Sequence, residues 1–179
     1  MKKKNNKGFS LIELIIAIAI LVILTGLLAP QFMKYIEKSR EAKDMQSLDT
    51  VYSAVQGAFA DEDAYKDFVT NSEGSGAYKD IHGGMALTTL LGKDDNFAKE
   101  VKELLGVDKE KGIKLSSKAA GSGNIAIVIK YVVADDNPAD VDGLQIAVYV
   151  AGSDLNETGN LSAVGNPEIV PKKTSGGAK

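Results

Sequence analysis

Residues Phe9 to Ala29 form an apolar run interrupted only by Ser10, Glu13 and Thr25. About twenty such residues make a helix long enough to cross roughly 30 Å of hydrocarbon. This run sets the first constraint on the fold. A helix committed to lipid, or to other apolar helices, cannot also serve as the centre of a water-soluble core. Lys2, Lys3, Lys4 and Lys7 precede it, and Lys34, Lys38, Arg40 and Lys43 follow it. The flanks offset each other, so charge alone does not set the orientation of the span. The run is long for a secretory signal, and a cleavage ending at Ala29 would place Pro30 next to the cut. Glu13 is the unusual residue, because a carboxylate near hydrocarbon is costly and tends to persist where it has a task.

Composition removes whole classes of function. The chain of 179 residues has a formal net charge of −3, which gives no bulk basic surface for nucleic acid. It has no cysteine, so disulfides, thiolate metal sites and cysteine nucleophiles are excluded. One histidine, His82, cannot build a multi-histidine zinc centre and reads as an ordinary loop or surface residue. Gly121, Gly123 and Ala126 match G-x-G-x-x-A, but the run they enter is β-rich, which fails the context of a dinucleotide loop. Gly92-Lys93-Asp94 lacks the remainder of a phosphate loop, and no serine occupies a nucleophile elbow.

Beyond the span, Pro30 removes an amide from the helix, and Gly26 lies one turn earlier, so Gly26 to Pro30 is a weak point. Lys34 to Asp44 is a charged stretch that reads as a solvated face. Met45, Leu48, Tyr52, Val55 and Phe59 then recur by three and four, the stripe of an amphipathic helix packed on a core. Asp61 to Gly84 reads as a long polar surface connection. Met85–Leu91 and Asn96–Leu105 read as short helices, the second capped by Asp94 or Asp95 and ended by Gly106. Strands come late: Gly112–Ser117 modestly, Ile125–Ala134 and Leu144–Ala151 strongly, with a turn-rich acidic connection between the last two. The expected fold is α+β, a long N-terminal helix laid on an antiparallel sheet of three to four strands. Residues 172–179 read as a flexible tail.

The stretch Lys7-Gly8-Phe9-Ser10-Leu11-Ile12-Glu13 resembles the leader of type IV pilins and pseudopilins: basic residues, Gly-Phe, a glutamate four residues after the Phe, then an apolar helix. The resemblance covers about the first sixty residues and implies a set of expectations. A prepilin peptidase cuts between Gly8 and Phe9 and methylates the Phe9 amine. Glu13 of one subunit meets that amine on a neighbour, so two charges that are costly alone become tolerable together and fix axial register. Glu13 also lies in the first helical turn, where a negative charge suits the dipole. The helix near Gly26 and Pro30 unwinds on assembly, although the family's usual glycine falls where this chain has Val22.

The resemblance divides the chain into a leader 1–8, an assembly helix 9–33, an amphipathic half 34–62, a head 63–171 and a tail 172–179. The implied partners are copies of itself, the peptidase, a membrane platform protein, an assembly ATPase and, before assembly, membrane lipid. The implied location is the bacterial cytoplasmic membrane with the head outside, then an extracellular filament. No nucleotide binds this chain. Removing the leader deletes four lysines, so the charge goes from −3 to −3 − 4 = −7 before termini are counted. The lack of cysteine looks like versions from Gram-positive bacteria. Competing readings are a pseudopilin of a secretion or DNA-uptake machine, a minor tip pilin, and a membrane-tethered enzyme. No cofactor is expected. Asp154, Asn156 and Thr158, or Asp135, Asp136, Asp140 and Asp142, have oxygen donors suited to calcium, but turn chemistry explains both groups without it. Asn156 and Asn160 begin glycosylation sequons that carry little weight in a bacterial chain.

Overall fold

The computed structural model describes residues 8–72, 76–107, 113–121, 123–133, 141–152, 155 and 158–171. Two compact units divide between Ser39 and Arg40. In the first, helix α1 (Leu11–Ala58) begins, and every residue from Gly8 to Tyr35 is exposed. Its most apolar 18-residue window has a mean hydropathy of 2.9, so the helix is long and apolar enough to cross a membrane. A helix suits such a segment because it satisfies its backbone internally. Thr25 turns its hydroxyl onto the Leu21 carbonyl at 2.7 Å, which satisfies one of the few polar side chains of the apolar segment.

The second unit carries the core. Within it α1 buries Asp44, Leu48, Val51, Ala54, Val55 and Ala58. The expected stripe is therefore present but turned slightly. Leu48 and Val55 lie at its centre, while Met45, Tyr52 and Phe59 flank it half-buried. Asp44 departs from the solvated-face reading, with only 1% of its surface exposed. Asp61 to Gly84 is not the surface connection its polarity suggested. Asp61 accepts the Ala64 amide at 2.8 Å and starts helix α2 (Glu62–Ser72), which buries Ala64 and Phe68. A 3₁₀ turn at Ile81–Gly83 buries Ile81 and holds His82 half-buried, its Nδ1 2.6 Å from the Ile129 carbonyl.

Met85–Leu91 differs from a single helix. Met85–Ala86 is strand β1, paired with the next strand, and Leu87–Leu90 is one turn of helix, α3. The following helix, α4 (Asn96–Leu105), has the expected limits. Asp95 caps it through the Ala98 amide at 2.9 Å, and Gly106 ends it at φ 62°, a conformation glycine adopts without penalty. The modest strand at 112–117 is absent among its described residues, where 113–117 form irregular chain.

Strands β2 (Ile125–Val133) and β3 (Val141–Val150) pair antiparallel along nearly their whole length, and β4 (Val164–Gly165) adds to β3. The sheet order is β1-β2-β3-β4. Alternation gives the sheet two apolar faces. Ile125, Ile127 and Ile129 lie opposite Val150, Val148 and Ile146 and join the α1 core. Ala126, Val128, Ala147, Tyr149 and Ala151 face the other way, where Ile169 and Val170 cover them. That second cluster was not anticipated. The small alanines leave room for a chain segment to lie directly on the sheet. The Tyr149 hydroxyl ties that segment down by donating to the Leu155 carbonyl. Gly84, at φ 110°, lies against the Tyr149 ring and the Leu155 carbonyl, where no side chain fits.

Candidate processing and assembly segment

The chemistry-bearing stretch lies at the start of α1. Ser10 precedes the helix by one residue, and its carbonyl accepts the Leu14 amide at 3.2 Å to close the first turn. Glu13 is the third helical residue, and its Oε2 accepts the Ser10 N–H at 2.8 Å. Serine followed three residues later by glutamate is the signature of a capping box, in which the glutamate reaches back to the amide before the helix. The S-L-I-E spacing carries that signature in the sequence itself.

Upstream, Phe9 is 93% exposed, and no atom lies within 4 Å of where a side chain on Gly8 would begin. Among the described residues nothing demands glycine at position 8. A demand for it would come from a molecule that approaches this backbone closely. Residues 1–7, with the four lysines, lie outside the described residues. Downstream, Leu14, Ile16, Ile18, Leu21, Leu24 and Leu28 all remain exposed. Isolated exposed apolar residues are ordinary, whereas a continuous helical surface of them needs lipid or apolar partners. Pro30 sits inside α1 without a break in the assignment. Its missing amide still deprives the Gly26 carbonyl of its usual partner four residues on.

Two carboxylates of the second unit, Asp44 and Asp95, are engaged in structure. Burial raises the cost of ionising Asp44, but hydroxyl and amide bonds from Ser117 and Ser116 outweigh it and hold the carboxyl below its ordinary 3.8. The amides of Ser117 and Ser116 donate at 2.7 and 3.0 Å. Tyr78 is fully buried, and its hydroxyl donates to Asp95 at 2.6 Å. Burial, the Asp95 contact and the charges of Asp95 and Asp67 together raise the Tyr78 hydroxyl far above its ordinary value of 10. It is a structural donor with no part in proton transfer. Its ring packs against Phe68 and Phe97, which in turn pack against Phe59, with centroids 4.9 to 5.4 Å apart.

Among the described residues no group of three or more His, Asp or Glu could hold a metal ion. Of the calcium candidates, Thr158 forms a bridge with Ala151. Asp154, Asn156, Asp135, Asp136 and Asp140, and the side chain of Asp142, lie outside what is described. Gly121 and Gly123 sit at φ 54° and 72° in the loop before β2, with no helix after them to receive a phosphate.

Comparison with known proteins points to the same segment. A family model described as the prokaryotic N-terminal methylation motif matches residues 3–29. The chain is 38% identical over 64 residues to the type IV major pilin protein PilA of Myxococcus xanthus, covering 36% of this chain and 29% of that one. It is 28% identical over 140 residues to a type IV major fimbrial protein FimA of Dichelobacter nodosus, covering 78% and 70%. A second FimA from Dichelobacter nodosus is 35% identical over 65 residues, with 36% and 42% covered. The chain thus spans less than a third of the Myxococcus relative and under half of the second FimA. No solved structure matches the chain.

Proposed function

We propose, from the premise that this chain belongs to the type IV pilin family, that it is a structural subunit, of the major kind, of a type IV pilus. The observation that carries this reading is the methylation motif over residues 3–29, continued by a helix whose apolar residues from Leu11 to Leu28 are exposed. The relatives that share the segment are named as major pilin and fimbrial proteins, which are structural and not catalytic. On this reading a peptidase removes residues 1–8 and methylates Phe9. The precursor waits in the cytoplasmic membrane with its head outside. A platform protein and a cytoplasmic ATPase then move it into the filament. The chain itself needs no nucleotide and no cofactor.

Glu13 is the residue that separates this role from plain anchoring. In a filament of packed apolar helices it neutralises the Phe9 amine of a neighbour. Glu13→Val leaves a more apolar span, so insertion into the membrane stays as good or improves. The filament loses a pairing whose rupture in buried settings costs about 3–5 kcal/mol, repeated at every subunit. The experiment measures membrane-inserted protein and sheared surface filaments separately in cells that carry each form. Mass spectrometry of the mature chain should show methylated Phe9 at its start. Normal filament yield from the valine variant, or a mature end at any other residue, overturns the reading.

A further inference from the structure

We propose that the backbone N–H of Ser10 is a positioning group for assembly: it holds the Glu13 carboxylate by Oε2 and leaves Oε1 to receive a neighbour's amine. The inference rests on the pilin reading above, since it takes Glu13 to meet a Phe9 amine in the filament. Its evidence is the 2.8 Å contact within a single chain. Ser10 stands outside the helix, so its N–H has no intrahelical acceptor and would be left bare near hydrocarbon. Glu13, on the exposed surface of α1, has three rotatable bonds and would otherwise sample many positions. Each group removes the other's cost.

An ionised carboxylate has two oxygens and about four acceptor sites, and one N–H uses one of them. Among the described residues no other donor reaches this carboxylate. The contact also survives processing. A cut between Gly8 and Phe9 leaves Ser10 as the second residue, still an amide, next to the new amine. The subunit therefore reaches the assembly site with its carboxylate already aimed, and the ordering is completed before association.

The test uses the mature, full-length subunit in detergent micelles. Hydrogen exchange at the Ser10 amide, read by nuclear magnetic resonance, should be at least about tenfold slower than in Glu13→Val, as expected for a bond to a charged acceptor. Equal rates overturn the inference. In cells, Ser10→Ala keeps the amide and should keep filament yield. Ser10→Pro removes the amide and should cut filaments per mature subunit by at least about tenfold, with helix content by circular dichroism unchanged. Unchanged yield per mature subunit overturns the inference, and so does a loss of filaments that tracks a loss of helix. If Ser10→Pro blocks cleavage, the exchange measurement decides alone. Normal filaments from Glu13→Val defeat the pilin reading itself, whatever the behaviour of Ser10.

Discussion

Asp44 shows how a single residue can run against the pattern around it. It ends a run of charges along α1, yet its carboxylate turns inward and gathers the amides of Ser116 and Ser117 from a loop more than seventy positions away. Periodicity could not reveal this, because two of the acceptor's partners are backbone amides that any sequence would supply, and the serine hydroxyls beside them lie far away in the chain. The folded carboxyl lies below its ordinary value, so the stability it contributes is fully present above about pH 4 and is lost as pH falls through the folded value. Asp44→Asn keeps the shape but turns a donor toward donors. It should lower stability by roughly 2–4 kcal/mol at neutral pH, since bonds to charged groups are worth about 1.5–3 kcal/mol and one amide is orphaned. Thermal unfolding of the detergent-solubilised protein from pH 2 to pH 7 checks both parts. The wild type should lose stability below pH 4 more steeply than the variant, and parallel curves would show that Asp44 is not the titrating group.

Among the elements, those with local signals were legible. α4 was read to the residue because a capping aspartate, an amphipathic run and a terminal glycine all lie within its own twelve or so positions. β2 and β3 were legible because both are long, nearly continuous apolar runs, although β3 begins at Val141, inside the acidic connection expected before Leu144. α2 is signalled by Asp61 and the apolar pairs Ala64-Tyr65 and Phe68-Val69, but the polar residues between them give the stretch the composition of a loop. β1 was not readable at all. Its two residues become a strand only because β2 offers Ala126 and Ile127 as partners. Asp95 links two elements, since the same oxygen caps α4 and receives the buried Tyr78 hydroxyl. Asp95→Ala should therefore cost more than a lost cap alone. A cap is worth about 1 kcal/mol and an orphaned buried hydroxyl about 1–3, giving roughly 2–4 kcal/mol. Asp95→Asn, which can still accept, should recover most of it in the same melting experiment; a cost no larger than 1 kcal/mol for alanine would mean that Tyr78 finds another acceptor.

For the molecule as a whole, the sheet is covered on both sides of its pleat: by α1 and its satellite helices on one face, and by Leu155, Ala163, Ile169 and Val170 on the other. The first layer was foreseen from the stripe on α1. The second was hidden because a segment rich in Gly, Asn and Pro reads as loop, and only the alanines at 126, 147 and 151 hint that something lies on them. Gly84 sits where the two ends of this arrangement meet, beneath the bond from Tyr149 to Leu155. Gly84→Ala should destabilise by roughly 2–5 kcal/mol, combining a positive φ with an overpacked contact. The measurement is the melting temperature together with protease sensitivity of residues 155–171. A variant as stable and as resistant as the wild type would show that this junction yields freely.

The cover held by Tyr149, Ile169 and Val170 has a consequence for where such a protein can mature. Many small exported domains secure a late segment by oxidising two thiols, a slow step that depends on an oxidant and on enzymes that shuffle wrong pairings. Here the segment is secured by apolar contact and one hydroxyl, and the chain has no thiol to oxidise. Its folding therefore contains no step set by redox potential. A reductant that opens cystine-bridged proteins finds no bond to cut in this one.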